Sequence, residues 1–90
     1  MGDYILAQLK QLKQIIPCIK DVRGLGLMIG VELNMEGKNI FEECLKNGLI
    51  INCTQGNILR FMPALNVTKK QADKAIYILE KSLKAVTGVL

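Results

Sequence analysis

Residues 49–62 run LIINCTQGNILRFM, and the architecture follows from how this stretch divides. Leu49 to Cys53 and Asn57 to Met62 are two apolar, strand-like runs, and Thr54-Gln55-Gly56 between them is a hairpin-sized connector containing a glycine. Strands joined this closely are antiparallel neighbours. Side chains alternate along a strand, so Ile58, Arg60 and Met62 share one face and Leu59 and Phe61 the other. Arg60 therefore points away from Leu59 and Phe61, whichever sheet face those two cover.

Upstream, Leu25, Leu27, Ile29, Val31 and Leu33 alternate with Gly26, Met28, Gly30 and Glu32, a period-two pattern that predicts a further strand. One of its faces is aliphatic and the other nearly bare. Gly26 and Gly30 on the bare face either admit a ligand or another backbone, or mark a bulge or tight local packing. Between the strands, Asn39-Ile40-Phe41-Glu42 reads as a capping box with Asn39 at the N-cap and Glu42 at N3. Ile40, Phe41, Cys44 and Leu45 form the inward stripe of that short helix, and Asn47-Gly48 is its stop.

Helices are predicted at both ends. Ile5, Leu9, Leu12 and Ile16 make one helical stripe, with Asp3 as its cap and Pro17 as its end. Thr68-Lys69-Lys70-Gln71 is a second capping box, with Val67 placed to staple onto Ala72. Ala72, Ala75, Ile76, Leu79 and Leu83 form the stripe of the last helix, and Gly88 marks its end. The order is α-β-α-β-β-α. A third strand inserted between the other two gives an α+β two-layer sandwich: a three-stranded antiparallel sheet of order 1-3-2 with the helices on one face. Arg60 then lies on the central strand, and the helix-free face of the sheet stays largely uncovered.

Composition narrows the function. Ninety residues make one domain, 1–90, and half of them are hydrophobic. The net charge is +4, but the lysines are scattered and there is no Trp, which argues against nucleic-acid binding. No apolar run approaches the roughly 20 residues of a membrane helix, and nothing reads as a secretory signal. The cysteines, Cys18, Cys44 and Cys53, are odd in number and lack a CxxC pair, and there is no His, so no metal site is expected. Three free thiols suit a reducing cytoplasm.

Without His there is no Ser/His or Cys/His nucleophile pair. Asp21, Glu32 and Glu36 make no recognisable acid–base pair. Gly24, Gly26 and Gly30 do not complete a dinucleotide fingerprint, and no phosphate loop is present. Catalytic residues are therefore not expected in this chain, which could at most supply one wall of a site. Arg60 is the candidate on that wall. A guanidinium in an apolar run either lies on a solvated strand face or takes a carboxylate or phosphate through two parallel hydrogen bonds.

DVRGLGLMIGVEL (residues 21–33) and ECLKNGLIINCTQGNILRFMPALNVT (residues 43–68) resemble the C-terminal small domain of acetylornithine aminotransferases. Those are class III, fold-type-I transaminases dependent on pyridoxal 5'-phosphate. The first stretch is shared loosely across class III, whereas the second is specific to the acetylornithine branch. The resemblance runs from Asp3 to about Leu83.

It implies a parent enzyme, cytoplasmic and homodimeric, that moves the amino group of N-acetylornithine to 2-oxoglutarate in arginine biosynthesis. It also implies that the cofactor is held by a lysine of a large domain and that the small domain closes over the site. The arginine of the LRFMP motif, which binds the substrate α-carboxylate, falls on Arg60. No cofactor-binding residue is matched in this chain. It is therefore expected to be an excised domain, inactive and without cofactor by itself, whose bare face met the missing large domain. Ornithine and 4-aminobutyrate aminotransferases remain open within the class, and a free-standing small-molecule-binding α+β module outside it.

Overall fold

The computed structural model describes residues 2–25, 28–49, 51–61 and 67–88. The elements are α1 (Gly2–Ile15), β1 (Ile19–Leu25), β2 (Met28–Leu33), α2 (Lys38–Lys46), β3 (Asn52–Thr54), β4 (Ile58–Phe61) and α3 (Lys69–Thr87). The sheet is antiparallel throughout, in the order β1-β2-β4-β3.

The expectation of three strands is corrected to four. The three foreseen strands correspond to β2, β3 and β4, with β4 between the other two, and β1 is added outside β2. Its concealment has a physical cause. The pairing slips between Ile19 and Asp21, which makes Lys20 the extra residue of a β-bulge. Ile19 and Val22 are both buried although they are three residues apart, so the period-two signature is lost. Leu25 belongs to β1, where it pairs with Met28 of β2; Gly26 and Leu27 lie outside the described residues.

The core lies on one face of the sheet. Val22, Ile29, Val31, Leu33 and Leu59 form a single cluster with Ile5, Leu9, Leu12 and Ile16 of the first helical segment, Ile40 and Cys44 of α2, and Ala72, Leu79 and Leu83 of α3. Helix α1 stops before Pro17, whose ring disfavours helical geometry at the residue ahead of it. Asp3 sits inside the first turn rather than at the cap, where its charge still suits the positive end of the helix. The Tyr4 hydroxyl donates to Asp73, and the Lys69 ammonium lies 5.5 Å from the Tyr4 ring centre, so α1 is tied to the start of α3.

Helix α2 begins differently from its sequence reading. Its N-cap is Gly37, with no side-chain cap, and Asn39 is the second helical residue. The reason is a close approach. The Gly37 amide donates to the Gly56 carbonyl at 2.6 Å. A β-carbon at residue 37 would meet Cys53 Sγ at 3.0 Å and the Leu33 and Leu59 side chains at 3.4 Å. A side chain there would crowd Cys53, and the helix starts at this close approach, ahead of Asn39. Leu45, expected in the stripe, is 50% exposed, while Ile40 and Cys44 alone are fully buried.

Helix α3 carries the foreseen box. The Gln71 amide donates to Thr68 Oγ1 at 3.1 Å, and the Thr68 amide donates to Gln71 Oε1 at 3.0 Å. It ends at Gly88, with φ 75°, whose amide donates to the Lys84 carbonyl.

Candidate functional site

Directly opposed residues of an antiparallel pair share a face. The register therefore lays out two rows on the side of the sheet away from the core. One row is Arg23, Gly30, Arg60 and Asn52, and the next is Asp21, Glu32, Ile58 and Thr54. Arg60 is on an interior strand, as expected, on the face opposite Leu59. Met62 and Pro63, which complete its motif, lie outside the described residues.

The two arginines of the chain have unequal surroundings. One Arg23 nitrogen donates to Glu32 at 2.9 Å and to Asp21 at 3.0 Å. Lys20, brought alongside by the bulge, reaches the other Glu32 oxygen at 3.5 Å. The hydrogen bond from Arg23, with Lys20 adding to it, holds the Glu32 carboxyl below its ordinary range. Arg60 has no such acid among the described residues. It is half-buried, and its Nε is shut off from solvent without a hydrogen-bond partner. Leaving such a donor unpaired costs about 1–3 kcal/mol, so an incoming oxygen anion would relieve a standing deficit.

Sequence reasoning singled out Gly30 as a bare position but placed neither it nor Asn52 directly beside Arg60. Gly30 sits beside Arg60 with no side chain to obstruct it, while exposed Asn52 flanks it on β3. Asn52 also lines a shallow depression with Glu36, Lys38, Phe41, Cys53 and Gly56. Pairing register locates both residues, and register is set by turns and bulges that carry little sequence signal.

Of the three free cysteines, Cys18 and Cys44 are buried and Cys53 is half-buried. Burial pushes the Cys18 and Cys44 thiols up, which leaves them protonated and poorly nucleophilic near neutral pH. No group of three or more metal-ligating side chains converges among the described residues. No described helix is long and apolar enough to cross a membrane.

Among the described residues the chain is a small α+β sandwich whose half-buried arginine lies on the sheet face away from the core. The profile of the Aminotransferase class-III family matches residues 1–83, and the chain belongs to that family. Among individual relatives, an acetylornithine aminotransferase of Methanocaldococcus jannaschii is 44% identical over 80 residues, covering 89% of this chain and 20% of the relative. Ornithine aminotransferase 2 of Staphylococcus aureus is 43% identical over 76 residues, covering 84% of this chain and 19% of the relative. The solved acetylornithine aminotransferase of Elizabethkingia anophelis superposes with a TM-score of 0.86 at 28% identity, covering 93% of this chain and 23% of that one. The chain thus spans about a fifth of the length of the curated relatives it matches.

Class-III aminotransferases use pyridoxal phosphate, and the residues described here do not fit that group. A cofactor lysine must be held in a pocket, yet every described lysine is exposed except half-buried Lys84, which is paired with Glu80 at 2.7 Å.

Proposed function

We propose that this chain is the small domain of an aminotransferase acting on N-acetylornithine, and that its Arg60 receives a carboxylate of the amino-acid and oxo-acid substrates. The supporting observation is the unpaired, solvent-shielded Nε of Arg60, beside a glycine and facing out of the sheet. Amino donors and 2-oxo acceptors such as 2-oxoglutarate share a carboxylate. A planar fork with two parallel hydrogen bonds holds that carboxylate in one orientation, which a transfer reaction requires of both partners. Among the described residues no side chain is placed to move the amino group itself. The chain's contribution is binding and orientation, and the cofactor and its lysine belong to a large domain against which the helix-free face closes. The parent is then a cytoplasmic homodimer in arginine biosynthesis.

The test is substitution of Arg60 by Ala and by Lys in the full-length aminotransferase. Both variants are expected to lose about 2–4 kcal/mol in kcat/KM for amino acid and oxo acid alike. Lys fails as well, because a point charge does not reproduce the fork. Unchanged kinetics in both variants would sink the assignment. The 90-residue chain alone is expected to give no turnover above the free-cofactor rate.

The relative from Staphylococcus aureus favours a second reading, an ornithine aminotransferase. Parallel assays with ornithine and N-acetylornithine separate the two, since Arg60 serves the carboxylate common to both.

A further inference from the structure

We propose that Arg23 is a positioning residue that keeps the nearest carboxylate of the sheet, Glu32, off Arg60 and so leaves Arg60 open to a ligand. The proposal rests on the reading of Arg60 as a carboxylate receiver. Glu32 lies one row from Arg60, since it pairs with Ile58 while Arg60 pairs with Gly30. Diagonal neighbours of this kind are about 7–8 Å apart, within reach of long side chains. Gly30 places nothing between them. Glu32 would therefore be the natural internal partner for an orphaned guanidinium, yet it is turned the other way.

Three features on the β1 side hold it there. Arg23, directly across Gly30 from Arg60, donates to Glu32 at 2.9 Å. Asp21 accepts from the same Arg23 nitrogen at 3.0 Å, and its second oxygen accepts from the Val22 amide at 2.9 Å, which steadies Arg23. Lys20 takes the other Glu32 oxygen, and the bulge puts it in position to do so. Glu32 is the least exposed member, at 19%, so its orientation is the one most constrained by these partners.

The experiment has a spectroscopic arm and a kinetic arm. In the 90-residue chain, the Arg60 Nε–Hε nuclear magnetic resonance signal is compared between wild type, Arg23→Gln and Arg23→Gln/Glu32→Gln. The signal is expected to shift and exchange more slowly in Arg23→Gln, as Glu32 crosses to Arg60, and to return in the double variant. An Arg60 signal unmoved by Arg23→Gln overturns the proposal whatever Arg60 does.

In the full-length aminotransferase, Arg23→Gln is expected to raise KM for both substrates roughly fivefold with kcat unchanged, the size of one exposed ion pair competing with substrate. Adding Glu32→Gln is expected to restore KM. Because loss of the Arg23 charge could act through space, the rise is also measured at high salt. A simple field effect fades there, and a KM rise that vanishes with salt while the Arg60 signal stays still counts against the proposal. A shifted Arg60 signal with unchanged KM instead overturns the reading of Arg60 as the substrate's partner.

Discussion

Arg23 and Arg60 flank Gly30 on the same side of one sheet, but among the described residues only Arg23 is engaged by acids. Arg23 is bound to two carboxylates and supports β1 against β2. Arg60, on an interior strand, is half-buried with a donor that nothing satisfies among the described residues. A residue of the same chemistry is structural at one place and unspent at the other. Local charge bookkeeping explains which: the acids lie within reach of the outer strand and are taken up there. A guanidinium donor without a partner among the described residues costs stability, which is the reason for proposing that Arg60 meets a ligand.

Adjacent residues on β4 give the strongest test of this contrast. Leu59 is fully buried on the core face, so Leu59→Ala is expected to lower the unfolding free energy of the chain by about 2–5 kcal/mol. Arg60→Ala is expected not to lower it, because no internal bond is lost and an unpaired donor is removed. Urea titration of both variants reads the difference, and equal losses would make Arg60 a structural residue.

A smaller effect is expected at the helix starts. Thr68→Ala removes the Oγ1 acceptor of the Gln71 amide, while the Thr68 amide can still donate to Gln71 Oε1, and is expected to cost about 1 kcal/mol. Asn39→Ala, inside the first turn of α2 with no cap bond to lose, is expected to cost less than about 0.5 kcal/mol. Thermal melts of the two variants compare them directly.

The smallest effect concerns Arg23. Glu32 has its carboxyl lowered in the folded chain from an ordinary value of 4.5, so the stability from its pairing is present above that value. It is lost as pH falls below 4.5 through the depressed folded value. Glu32→Gln is therefore expected to be slightly less stable than wild type at neutral pH and to match it in strong acid. Urea midpoints taken between pH 2 and pH 7 follow this, within the small range of an exposed pair.

What could be read without coordinates was what depends on local periodicity. The α1 stripe from Ile5 to Ile16, the Thr68–Gln71 box and the Gly88 stop all repeat in the structure. So do the antiparallel pairing of β3 with β4 and the place of β4 between β2 and β3. What escaped depends on tertiary contact. The bulge at Lys20 concealed β1, and the squeeze of Gly37 against Cys53 and Gly56 overrode the capping signal at Asn39. At the candidate site, Arg60 and its face could be foreseen from alternation, whereas its flanking by Gly30 and Asn52 and the diversion of Glu32 could not. Those follow from which strand sits beside which, and by how many residues each is offset.

Gln55 and Gly56, between β3 and β4, both have left-handed backbone, with φ 53° and φ 79°. Thr54 pairs with Ile58, so three residues make the connection. Gaining or losing one residue there would advance β4 by a single step against its neighbours. Arginine and leucine would then exchange places, the cation driven among aliphatic side chains and the aliphatic out to water. The parity of one short turn thus guards both solvent partition and the face on which the sheet shows its interior cation.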